Sequence, residues 1–141
     1  MQRVPDAPRL RDSTTMIVAA AVVERDGMLL ITRRPGGTHL EGYWEFPGGK
    51  CEAGEALVDC LRRELREELG TDADVGEEIL AVTHSYPERT VELHFFACRL
   101  RAEPRPLLQQ EMRWAGIADL TTLRFPPADD ELITLLLERR R

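Results

Sequence analysis

Two glutamates, Glu67 and Glu68, follow Glu64 by three and four residues in a segment with the periodicity of an amphipathic helix. On a helix of about 100° per residue, the three fall within roughly 100° of one another. The apolar residues of the segment recur at helical steps, at Leu57, Val58, Leu61, Leu65 and Leu69. Gly70 follows the last of them, where a left-handed helix cap belongs. The pattern predicts a helix from about Glu55 to Leu69.

The glutamate stripe overlaps the edge of the apolar stripe, so these carboxylates point at or beside the core. A charge run is usually a solvated face, an interpretation that suits Arg62 and Arg66 on the far side of the helix. Carboxylates crowded beside a core repel one another and lose hydration unless a cation neutralises them. Hard divalent ions with oxygen ligands, Mg²⁺ above all, meet that need. The spacing therefore predicts a metal site, with Mn²⁺ as an alternative ion.

The sequence pattern of the surrounding segments predicts short strands and one further helix. Met16 to Val23 is a continuous apolar run, Asp26-Gly27 is a tight-turn dipeptide, and Met28 to Thr32 is the returning strand. Asp129 to Glu138 has helical periodicity with an acidic first turn. Further strands are predicted at Trp44–Pro47, Ile79–Tyr86, Val91–Leu100 and Met112–Ala115. Together these elements predict an α/β sandwich in one domain, residues 15–141, after a mobile leader at residues 1–14.

Composition excludes several classes of protein. A chain of 141 residues suits a single domain, and its net charge of −6 argues against a duplex nucleic acid partner. No apolar stretch is long enough to cross a bilayer, and the N-terminus lacks a secretory signal, so we expect a cytoplasmic protein without a membrane partner. Cys51, Cys60 and Cys98 form an odd set without metal-ligand spacing. We expect them to be free, buried or half-buried thiols in a reducing compartment.

The stretch from Gly49 to Gly70, GKCEAGEALVDCLRRELREELG, resembles the signature of the Nudix hydrolases, enzymes that cleave nucleoside diphosphates linked to another group. Thr71, after it, departs from the aliphatic residue usual in that family. The resemblance implies an α/β/α sandwich with a central mixed β-sheet, in which Arg63 and Glu55 brace the loop against the helix. It implies a metal site made by Glu64, Glu67, Glu68 and the carbonyl of Gly49. Catalysis is then assigned to Arg63, Glu64, Glu67 and Glu68.

Outside this stretch, the chain resembles the MutT-type nucleoside triphosphate pyrophosphohydrolases, at Ile31–Arg34, His39, Glu45–Lys50 and Phe125–Ala128. The resemblance implies that Arg34 contacts substrate phosphate and that Phe46 and Asp129 line a base pocket. Residues 42–46 and Leu93-His94 also resemble the branch that acts on CTP, dCTP and modified cytosine nucleotides. Base identity stays open, because a carboxylate at Asp129 accepts from an exocyclic amine or, when protonated, donates to a carbonyl.

The resemblance implies Mg²⁺-dependent hydrolysis of a (deoxy)nucleoside triphosphate, in particular a modified or damaged one, to the monophosphate and pyrophosphate. MutT-type enzymes often carry another metal-linked glutamate where Leu108 stands here, so the general base is either Glu111 or a glutamate of the helix. Two alternatives are hydrolysis of another diphosphate derivative, such as ADP-ribose or a dinucleoside polyphosphate, and nucleotide binding without catalysis. The expected partner is a small-molecule nucleotide, bound by a monomer or a homodimer.

Overall fold

The fold is built on a mixed sheet, seen in a computed structural model that describes residues 15–33 and 42–139. The predicted leader, Arg34 and His39 lie outside the described residues. The elements in chain order are β1 (Thr15–Arg25), β2 (Met28–Arg33), β3 (Trp44–Glu45), β4 (Gly48–Lys50), α1 (Leu57–Leu69), β5 (Ala73–Tyr86), β6 (Arg89–Leu100), β7 (Glu111–Gly116) and α2 (Asp130–Arg139). Short 3₁₀ turns at Ile117–Thr121 and Pro127–Asp129 precede α2.

Strand β1 is the centre of the sheet. It runs parallel to β6, from the Thr15–Thr90 pair to the Val23–Cys98 pair, and antiparallel to β4 and to the start of β2. β5 extends the sheet beyond β6, and β3 and β7 both pair with β2. Among the described strands, parallel and antiparallel pairs therefore occur together, and the expected mixed sheet is confirmed.

Helices cover both faces of the sheet. Alternate residues of β1 face opposite ways, so that Ala19 and Ala21 pack with Leu61 and Leu65 of α1. Their neighbours, such as Ala20, belong to the core on the other face, which α2 covers. A strand buried on both sides reads as a continuous apolar run, which is the pattern of β1. Neither helix of the described residues has the length and apolar character that a bilayer crossing requires.

The element boundaries mostly follow the sequence pattern. The two-residue turn after β1 has positive φ at both positions, 55° at Asp26 and 77° at Gly27, as such hairpins require. Gly70 caps α1 with a left-handed φ of 71°. Strand β5, however, begins at Ala73, six residues before the predicted Ile79. The added segment is polar and contains a bulge, and it forms a strand because its backbone pairs with β6 at the sheet edge.

The prediction of free thiols was wrong for two cysteines. Cys51 and Cys60 form a disulfide, with their Cα atoms 5.3 Å apart, whereas Cys98 is free and half-buried. The loop after β4 folds back over the first turns of α1, and Cys60 faces this loop. Sequence spacing could not predict the pairing, because it depends on where the loop lies against the helix.

Candidate active site

Two consecutive glycines bring the loop between β3 and α1 against both the sheet and the helix. Gly48 has a φ of 151°, and a Cβ there would collide with the backbone of β1. A Cβ on Gly49 would occupy the place of the Glu64 side chain. Because neither glycine carries a side chain, the loop backbone can lie directly against a candidate metal ligand.

Arg63 ties the loop to the helix. Its guanidinium donates to both oxygens of Glu55 at 2.8 and 2.9 Å, to the Lys50 carbonyl at 3.2 Å and to Glu64 at 2.8 Å. The hydrogen bonds from Arg63 and from the backbone N–H of Glu52 lower the pKa of Glu55 to about 2. The bonds to Glu55 and Glu64 raise the pKa of Arg63. This geometry suits the bracing role implied for Arg63 and Glu55, because the planar guanidinium offers five donors.

The three helix glutamates have different environments. The Glu64 side chain is only 15% exposed and is paired with Arg63, whereas the Glu67 side chain is 57% exposed and lies 3.5 Å from the same arginine. Glu68 is half-buried and accepts the backbone N–H of Gly48 at 3.3 Å. Of the three glutamates, Glu67 therefore faces solvent, whereas Glu68 faces the loop.

The residues present fit a divalent cation. Burial of the Glu68 carboxyl group, followed by repulsion from the carboxylates of Glu45 and Glu64, raises the pKa of Glu68 to about 9. Mg²⁺ and similar ions bind carboxylate oxygens, and their positive charge offsets the repulsion between neighbouring carboxylates. The backbone of Gly49 also lies directly against the Glu64 side chain, where a Cβ on Gly49 would collide with the carboxylate. The specific ligand set stays a prediction.

The raised pKa of Glu68 predicts how the free energy of unfolding depends on pH. The folded protein holds the Glu68 proton up to about pH 9, whereas the unfolded chain releases it near the ordinary value of 4.5, so this group makes the free energy of unfolding fall as pH rises between these values. With chelator present at pH 8, Glu68→Gln should therefore raise the melting temperature by about 2–4 °C, or about 1 kcal/mol. The gain should shrink at pH 5.

Glu64→Gln is the comparison variant for these thermal melts. It removes the ion pair with Arg63 as well as the repulsion on Glu68, and because the lost pair offsets the relieved repulsion, the melting temperature should stay unchanged or fall. A fall in the melting temperature of Glu68→Gln at both pH values would show that Glu68 is a structural partner of the loop and not a repelled carboxylate.

A cavity of about 600 Å³ opens beside Glu68, between the sheet and the start of α2. This volume is typical of small-molecule sites, which span about 300–1,000 Å³. Phe46 and Asp129, the two predicted base-pocket residues, both line it, as does Gly49. Asp129 is only 5% exposed. The Phe46 ring lies 5.9 Å from the Phe95 ring, measured between centroids, and both rings line the cavity as an aromatic wall.

The predicted site residues thus divide into groups. Gly49, Phe46, Glu68 and Asp129 meet in the cavity. Arg63 connects α1 to the loop through Glu55 and the Lys50 carbonyl, Glu64 accepts a hydrogen bond from Arg63, and neither residue lines the cavity. Glu67 faces solvent, and Arg34 is outside the described residues.

Sequence reasoning missed several residues of the cavity wall. Glu45, Lys50, Tyr86 and Arg89 line it, and none of them was singled out for its chemistry. The position of Lys50 next to the glycine pair was an available signal. Tyr86 and Arg89 flank the β5–β6 turn, and they reach the cavity because β6 runs parallel to β1, a pairing that no local pattern reveals.

Three other candidates lie elsewhere. Glu111 accepts a hydrogen bond from Arg33 at 3.2 Å and does not line the cavity. Trp44 is a core residue, 6% exposed. The ring nitrogens of His94 lie 2.8 and 2.9 Å from carboxylates of β5 and β6, and Leu93, its neighbour, is the residue that faces the cavity. Of the residues that carry the resemblance to the cytosine branch, Trp44 and His94 therefore do not line the cavity, whereas Glu45, Phe46 and Leu93 do.

A mixed sheet is thus covered by a helix on each face, and a glycine pair and the Glu68 carboxyl group lie together at its cavity. The chain belongs to the Nudix family, because the model of the NUDIX domain matches residues 18–135. Nudix hydrolases generally use a divalent metal such as Mg²⁺. The implied family and fold are thereby confirmed.

Relatives of established name extend over most of the chain. A CTP pyrophosphohydrolase of Escherichia coli strain K12 is 35% identical over 128 residues, which cover 87% of this chain and 92% of that protein. An 8-oxo-dGTP diphosphatase of the same strain is 31% identical over 121 residues, 85% of this chain and 94% of that protein. The solution structure of the E. coli ORF135 protein superimposes with a TM-score of 0.80 at 33% identity, covering 90% of this chain and 91% of that one.

Proposed function

We propose that this enzyme hydrolyses a (deoxy)nucleoside triphosphate, in particular a modified or damaged one, to the monophosphate and pyrophosphate, and so contributes to nucleotide-pool sanitation. The observation that carries the proposal is that the helix carboxylates and the cavity lie side by side. The carboxylate cluster at Glu68 opens into a cavity with an aromatic wall at Phe46 and a polar end at Asp129. A nucleotide has the matching halves, a phosphate chain and a base. Relatives that are named CTP pyrophosphohydrolase and 8-oxo-dGTP diphosphatase support the same reaction class.

The residues of the chain divide the work of this reaction. Glu64, Glu67 and Glu68, with the Gly49 carbonyl, would hold Mg²⁺, which supplies charge stabilisation to the phosphates when bound. Arg63 keeps the loop and helix at a constant separation through its bonds to Glu55, Lys50 and Glu64. Positioning and electrostatics of this kind account for most of phosphoryl-transfer catalysis.

We assign the general base to a helix glutamate and not to Glu111, because Glu111 is paired with Arg33 away from the cavity. At the other end of the cavity, Phe46 would pack against the base and Asp129 would accept a hydrogen bond from an exocyclic amine. Lys50 and Arg89 line the same cavity and add positive charge toward the phosphate chain.

The test is a product assay with a panel of CTP, 8-oxo-dGTP, TTP and ADP-ribose, each with Mg²⁺ and with excess chelator. We expect pyrophosphate and nucleoside monophosphate from the triphosphates and no turnover with chelator. Inorganic phosphate as the only released ion would contradict the proposal, and so would a preference for ADP-ribose over every triphosphate.

A further inference from the structure

We propose that Cys51 and Cys60 form a reversible disulfide, a redox modification site that responds to small thiols and disulfides and controls the metal-binding loop. The proposal rests on the proposed function. Cys51 directly follows β4, Cys60 lies on α1, and nine residues separate them. The disulfide therefore joins the two segments that carry the predicted metal ligands, Gly49 on one side and the glutamates on the other.

The two cysteines lie close to the predicted metal ligands and to the residue that braces the loop. The Cys60 Sγ is 3.8 Å from the carbonyl oxygen of Gly49. The carboxylate of Glu55, which Arg63 holds, has an oxygen within 4.8 Å of both sulfurs. A change at the two sulfurs is therefore transmitted to the loop carbonyl and to the residue that braces the loop.

Oxidation state changes what Cys60 offers to that carbonyl. In the disulfide, the Cys60 sulfur carries no hydrogen, so the Gly49 oxygen, which pairs with Ala19 in the β1–β4 ladder, keeps its second lone pair for a cation. In the reduced form, the Cys60 thiol donates to this oxygen, and the two sulfurs also need van der Waals separation instead of a bond of about 2 Å. Cys60 has no exposed surface, so the added space must come from movement of the Gly49–Cys51 segment. The disulfide is thus the form that favours metal binding.

The exchange reaction has an accessible entry point. Cys51 is half-buried, so a thiolate of an external dithiol attacks its sulfur, the S–S bond breaks, and Cys60 leaves and takes a proton. The second thiol of the reagent then attacks the mixed disulfide, which releases Cys51 as a thiol and the reagent as a cyclic disulfide. A small-molecule disulfide reverses the reaction. Cys98 does not compete, because burial raises the pKa of its thiol to about 12.

The experiment compares protein oxidised with glutathione disulfide and protein reduced with dithiothreitol, with free thiols counted in each. Two quantities are measured: kcat/KM for the triphosphate panel, and the rise in melting temperature that Mg²⁺ causes. Reduction should lower kcat/KM about tenfold or more, since small displacements of positioning groups are that costly. It should also diminish the Mg²⁺-dependent rise. Cys98→Ser should respond as the unmodified protein does, and Cys51→Ser and Cys60→Ala should not respond.

Each outcome decides something. If the disulfide does not form, or if both forms respond equally to Mg²⁺ and hydrolyse equally, the redox proposal is wrong. If neither form hydrolyses any nucleotide but the Mg²⁺ response still depends on oxidation state, the proposed function fails while the redox site stands. Should one cysteine variant fail to fold, the other supplies the unresponsive control.

Discussion

Glu68→Gln is expected to reduce kcat/KM for nucleoside triphosphate hydrolysis by about 10²-fold or more in the presence of Mg²⁺, the usual cost of removing a charge-stabilising group. Glu68 combines two properties that point to this role: it lines the cavity, and its carboxyl group is crowded by Glu45 and Glu64. Glutamine preserves the shape and can still accept the N–H of Gly48. The substitution therefore removes charge with little other change.

The matched control for this substitution is Asp59→Asn. Asp59 lies on the same helix and is exposed, and the variant changes charge by the same amount. Rates should be measured over a range of Mg²⁺ concentrations, so that lost metal affinity is distinguished from lost turnover. Activity of Glu68→Gln within about twofold of the unmodified enzyme at saturating Mg²⁺ would remove Glu68 from the catalytic assignment.

Replacing Asp129 should change which base is preferred without abolishing hydrolysis. An ionised carboxylate only accepts hydrogen bonds, so Asp129 should favour cytosine and guanine nucleotides, which carry an exocyclic amine, over TTP. Asp129→Ala should reduce this preference by about 1–3 kcal/mol, or about 5- to 150-fold, because the amine then lacks a buried partner. Asp129→Asn should instead improve TTP relative to the unmodified enzyme, since an amide can donate to a carbonyl.

This prediction is measured as the ratio of kcat/KM values for CTP, 8-oxo-dGTP and TTP on each variant. Asp130→Asn provides the control, because Asp130 is the exposed next residue at the start of α2. Unchanged ratios among the bases would mean that Asp129 stabilises the turn before α2 and that the base is recognised elsewhere in the cavity.

The two effects expected at Glu68 have opposite signs. Its carboxylate should lower the stability of the metal-free protein above about pH 5 and raise the activity of the protein with Mg²⁺. A residue that weakens the fold and serves the site is typical of active sites, where charge is arranged for the ligand. Finding both effects in one variant would separate Glu68 from glutamates whose function is only structural.

Much of this protein follows from its sequence alone. The helix of α1, its glycine cap and its glutamate stripe arise from local periodicity, because a helix places residues three and four apart on one face. The buried strand β1 and the hairpin at Asp26-Gly27 are equally local. The glycine pair and the signature stretch were enough to predict the family and an α/β/α sandwich, both of which are confirmed.

The tertiary structure decided what depends on long-range pairing. The parallel register of β1 and β6 brings the β5–β6 turn to the cavity and directs His94 away from it, and a one-residue change of register would exchange these faces. The partner of Glu111 and the Cys51–Cys60 disulfide likewise depend on how distant segments pack. Periodicity shows which face of an element a residue occupies. It does not show what packs against that face. Periodicity therefore predicted the carboxylates, whereas only the family resemblance placed Phe46 and Asp129 in one pocket, and Tyr86 and Arg89 of its wall were not predicted.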